Sequence, residues 1–167
     1  MRLRTVIVLA AVFLFSLVIQ TTLIAQLRFF VPDLVALVVI LVALTRIRPE
    51  AVLGVAFVAG VTVDLVGSTL VGLRGVVYAI VAYVALRTRE RAEIGRVFTA
   101  IWAGGLTLLT VVLLVLIGLL FGEASVLGSR IVEGLIAIPI ANSLLAALLG
   151  PLLVRVLDRD ATALRFT

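Results

Sequence analysis

The chain has 167 residues, 64% hydrophobic and only 14% charged, with a mean hydropathy of +1.38 and a net charge of +5. A soluble domain keeps about a quarter of its residues charged, so this composition belongs to a membrane protein, and six spans of about 20 residues fill most of its length as a single membrane-embedded helical domain, residues 1–167. Without histidine or cysteine the chain offers no imidazole or thiolate ligand, no thiol nucleophile and no disulfide, and a serine without histidine or lysine beside it makes no hydrolase.

The first apolar run, residues 5–25, follows Met1-Arg2-Leu3-Arg4. It is longer than a signal-peptide core of roughly 7 to 15 residues and lacks a small-x-small cleavage site, so it reads as a retained span with a polar Gln20-Thr21-Thr22 cluster near its far end. The second span, 29–45, opens with Pro32-Asp33, a proline and an acid suited to a first helical turn. Its uninterrupted apolar stretch covers only about 20 Å at 1.5 Å per residue, against a hydrocarbon core of about 30 Å. Either Phe29 and Phe30 extend it through an irregular start, or the helix is short and covered by its neighbours.

The third run, 50–66, carries Gly54, Gly60 and the one acid clearly embedded in an apolar segment, Asp64. A glycine-rich turn containing Gly67, Gly72, Arg74 and Gly75 leads into the fourth run, 70–86, with Tyr78 and Tyr83. It lacks the Gly-Lys-Ser/Thr ending of a phosphate-binding loop. The charged segment Arg87 to Arg96 precedes the long fifth run, 97–121, in which Gly118 and Gly122 form a small-xxx-small pair. The sixth run, 131–156, contains Glu133, spaced to pair with Arg130, and then Pro139, Asn142 and Ser143. Proline with neighbouring polar side chains reads first as a kink whose freed carbonyl those side chains satisfy, and second as a broken helix lining a solute site.

Every basic residue is arginine, and the arginines cluster between apolar runs as topology signals rather than as a nucleic-acid surface. With six spans and a cytoplasmic N-terminus, the inner regions hold Arg2, Arg4, Arg46, Arg48, Arg87, Arg89, Arg91, Arg96, Arg155, Arg159 and Arg165, and the outer ones Arg28, Arg74 and Arg130. Both termini then face the cytoplasm of a bacterial inner membrane.

Asp64 is the sharpest candidate for a role, because an ionisable group within a span faces the bundle interior and has a partner. It reads foremost as an anchor, either one that caps or pins the glycine-rich turn with Arg74 as its partner or one that holds a partner helix, and secondarily as a proton or cation site. The glycines read first as close helix-packing positions.

Read together, the Gln20-Thr21-Thr22 stretch, Pro32-Asp33-Leu34, the Arg46-Ile47-Arg48-Pro49-Glu50 turn, the Gly54, Gly60, Asp64-Leu65 spacing, the Gly72-Leu73-Arg74-Gly75 loop and Tyr78 resemble the MreD family of rod shape-determining membrane proteins. The resemblance implies a six-helix bundle similar to the substrate-binding components of energy-coupling-factor transporters, without cofactor or catalytic residues. Pro32, Asp33, Gly60, Asp64 and Gly72 fall on family motif positions and shape the bundle and its partner surface. It also implies direct binding of the bitopic protein MreC, and contact through it with RodA, a class B penicillin-binding protein and MreB. The alternative reading is a vitamin-binding transporter component of the same general shape.

Overall fold

Hydrocarbon offers backbone groups no partner, so an apolar run in a membrane closes its own hydrogen bonds as helix. The computed structural model describes residues 3–22, 32–45, 47–67, 70–89, 95–122 and 131–162. Among them are six helices and no strand: α1 (Leu3–Thr22), α2 (Leu34–Val42), α3 (Pro49–Val66), α4 (Leu73–Thr88), α5 (Arg96–Leu120) and α6 (Ile131–Thr162). By length and composition α3, α5 and the Gly134–Leu153 stretch of α6 are able to cross a membrane.

The third and fifth helices begin and end within one residue of the expected runs. Elsewhere the boundaries move. The second helix is shorter than the expected 29–45 span, and its nine residues rise only about 14 Å. Among the described residues it is a short helix covered by its neighbours, and the foreseen extension through Phe29 and Phe30 falls outside them. Seven of its residues are buried, and it packs against all five other helices, as a helix apolar on every side must. The fourth helix starts at Leu73 rather than 70, because Gly72 precedes it with φ +96°, a left-handed conformation open to glycine and rare elsewhere. The sixth runs unbroken through Pro139 and Pro151 to Thr162, beyond the expected end at 156. Gly122 lies past the end of α5 with φ +75°, so it terminates that helix and makes no helical pair with Gly118.

Many large apolar side chains of the described residues are exposed. Ile136, Ile140, Leu144, Leu148 and Leu152 recur every fourth residue along one exposed stripe of α6, the pattern of a helix facing lipid. Two apolar grooves of about 260 Å³ each flank α1, one shared with α2 and α6 and the other with α3 beside Gly54. Ser16 in the first groove donates its hydroxyl to the Val12 carbonyl (2.8 Å), a back-bond that leaves the lining without a free donor. At the end of the bundle where α4 finishes, Trp102 Nε1 donates to Thr88 Oγ1 (2.9 Å), and the Arg87 guanidinium lies 5.4 Å from the centre of the Tyr83 ring.

The Phe29 and Phe30 positions, Arg28, the 90–94 part of the arginine-rich loop, and the side chains of Arg130 and Glu133 lie outside the described residues.

Candidate functional site

A helix leaves its first N–H groups without intrahelical acceptors, and in a membrane those groups need partners supplied by the protein. At α2 the sequence supplies them twice. Asp33 is the N-cap and its Oδ1 accepts from the Ala36 N–H (3.0 Å), while Gln20 Oε1, reaching across from α1, accepts from the Val35 N–H (3.1 Å). Pro32, immediately before the cap, is buried.

The start of α4 is satisfied differently. Its N-cap is Gly72, which has no side chain to offer, and the acceptor comes from the last turn of α3. Asp64 Oδ2 accepts from the Gly72 and Arg74 N–H groups, both at 2.9 Å, so one carboxylate spans the turn and sits against the positive end of the α4 dipole. This requires α3 and α4 to lie very close. Gly60 permits it, since a Cβ there would overlap the Arg74 carbonyl and crowd the Gly75 nitrogen. Gly75 faces Val61 and Phe57 in the same way from the other side.

The two capping acids share one cation. Arg74 places Nε 3.5 Å from Asp64 Oδ1 and Nη1 3.8 Å from Asp33 Oδ2. Its side chain is 27% exposed, whereas that of Asp64 is wholly buried. Both separations are longer than an ordinary N–H···O hydrogen bond, so these are charge contacts. Tyr78, one turn further along α4 and fully buried, donates its hydroxyl to the Asp33 carboxylate at 3.1 and 3.3 Å. From the opposite side Asn142 on α6 donates Nδ2 to the Asp33 carbonyl (3.0 Å) and to Thr107 Oγ1 on α5 (3.2 Å).

The result is a clamp to which all six helices contribute, centred on Asp33. Of the residues singled out from the sequence, Pro32, Asp33, Gly60, Asp64, Gly72, Arg74 and Tyr78 gather here. Gly54 does not. It lies on an exposed part of α3 along the groove with α1, with nothing within 4 Å of where its Cβ would be. Asn142 takes part as a cross-link between helices; its amide nitrogen is committed to α2 and α5, not to the carbonyl freed by Pro139. Thr107 carried no signal in the sequence. A threonine in an apolar helix ordinarily bonds back to its own backbone, as this one does to the Ala103 carbonyl (2.8 Å).

Chemically the clamp fixes helix ends to one another. Its polar atoms accept from backbone N–H groups and from each other, and among the described residues no third acid, histidine or cysteine joins Asp33 and Asp64 as a metal-binding group.

A model of the family described as rod shape-determining protein MreD matches residues 1–159. No curated protein and no solved structure matches the chain.

Proposed function

The chain belongs to the rod shape-determining protein MreD family, and from that premise we propose that it is a non-enzymatic membrane scaffold of bacterial cell-wall elongation. In this reading it binds MreC directly and through it helps to organise RodA and the class B penicillin-binding protein, with MreB as an indirect partner. In the same reading all six helices are membrane segments of the bacterial inner membrane, with both termini in the cytoplasm, an orientation that the arginine distribution supports.

The observation that supports a scaffold is the use to which the polar side chains are put. Asp33, Asp64, Arg74, Tyr78 and Asn142 bind one another and the helix ends. Such a bundle offers a partner a fixed shape in an otherwise apolar exterior, where close packing and polar bonds govern helix association.

Co-expression with MreC and purification in mild detergent tests the proposal. The expected result is a stable complex whose yield falls in Asp64→Ala and Gly60→Leu, with size-exclusion profiles separating loss of binding from loss of fold. Failure of the well-folded wild-type chain to retain MreC, together with a tightly held metabolite in native mass spectrometry, would replace the scaffold with the vitamin-binding reading.

A further inference from the structure

Asn142 is fully buried between α2, α5 and α6. Both hydrogens of its amide are committed, one to the Asp33 carbonyl and one to Thr107 Oγ1. Those two bonds also fix which way the amide points. Turned over, it would set Oδ1 against the Asp33 carbonyl, which has no hydrogen to give, and against Thr107, whose hydroxyl hydrogen already goes to Ala103. Oδ1 is therefore held on the remaining side, and among the described residues it has no hydrogen-bond partner.

The same helix face has a second shortage of donors. Pro139 lacks the N–H that would bond the Leu135 carbonyl, and residues 135 and 142 are two turns apart on one side of α6. Acceptors left over at prolines in membrane helices are re-satisfied by neighbouring helices, hydroxyl side chains or ordered water. Here Asn142, the neighbouring amide, directs its donors elsewhere and brings an additional acceptor.

We infer that a buried water molecule occupies this joint and donates to Asn142 Oδ1. The occupant must be small, because Ala103, Thr107, Ala141 and Asn142 are all at 0% exposure, and it must carry hydrogens. Water meets both conditions and is the usual occupant of a polar interior site with a few partners. It makes the contact of α6 with α2 and α5 a wet one at Asn142, whose amide nitrogen meanwhile keeps its hold on α2 and α5.

The sequence provides a direct test, because Asn142 is its only asparagine. Protein made with isotope-labelled asparagine and arginine and reconstituted in lipid bilayers gives one side-chain amide signal, beside the arginine guanidinium signals, in solid-state nuclear magnetic resonance. Magnetisation passed from water is expected to reach the Asn142 carbonyl carbon as strongly as it reaches exposed arginine guanidinium carbons, at mixing times too short for exchange at the amide nitrogen. The labelled carbonyl stretch should also lie at the lower infrared frequency of a hydrogen-bonded amide. A carbonyl carbon that stays dark while the arginines respond, or a stretch at the free-amide position, overturns the inference.

Discussion

The seam between α3 and α4 and the seat of α1 are two solutions to holding apolar helices together. At the seam the backbones approach until no side chain fits between them at Gly60, and Asp64 closes the end by bonding to the next helix. Helix α1 has no such closure: Gln20 bonds to the start of α2, and grooves lie along both of its flanks. Both elements are strongly apolar, so hydrophobicity does not account for the difference. In lipid, tight association comes from close approach and from polar bonds, and of these two regions the seam is the one that combines them.

The contrast can be broken most severely at Gly60. Gly60→Leu drives a side chain into the Arg74 backbone, which cannot yield as a flexible side chain can. The expected loss is about 3 kcal/mol or more, the upper range for overpacking, seen as a large fall in the thermal midpoint in detergent. Asp64→Ala comes next. It strips the acceptor from two helix-end N–H groups and leaves Arg74, among the described residues, with Asp33 as its acidic partner; about 2–3 kcal/mol is expected, with proteolysis between α3 and α4 accelerating at the same time. Tyr78→Phe removes one interhelical hydrogen bond and keeps the ring. About 1 kcal/mol is expected, within the range measured for such bonds in membranes, and unfolding in mixed micelles should resolve it. The smallest effect belongs to the loose region: Gly54→Ala, on the same helix as Gly60 but beside the groove, should change stability by no more than about 0.5 kcal/mol. Equal sensitivity at Gly54 and Gly60 would erase the proposed distinction.

That last pair also marks where sequence stops being informative. Gly54 and Gly60 are both glycines in the same apolar run, and nothing in their spacing says which one faces a neighbouring backbone. Asp64 was legible because a carboxylate in hydrocarbon needs a partner, and Arg74 lay across the nearest turn. The meeting of Asp33 with Tyr78 was not, although both residues stood out, because 45 positions separate them and only the packing of α4 onto α2 joins them. The polar Gln20 cluster marked the end of a span without showing that its amide caps the next helix. The helical continuation of α6 past Val156 was not legible because the charges there resemble a solvated tail, whereas arginine, leucine and alanine are good helix formers once a helix is already under way.

The brevity of α2 bears on how the protein is made. A nine-residue helix is too short to settle across a bilayer on its own merits, and the bond that ties its first turn to α6 comes from Asn142, 109 residues further along the chain. During synthesis the centre of the molecule therefore waits for its edge. Until the final helix leaves the ribosome, the cap of α2 lacks one of its anchors, and a chain truncated before residue 142 would reach the membrane with every earlier helix present and its middle unfinished.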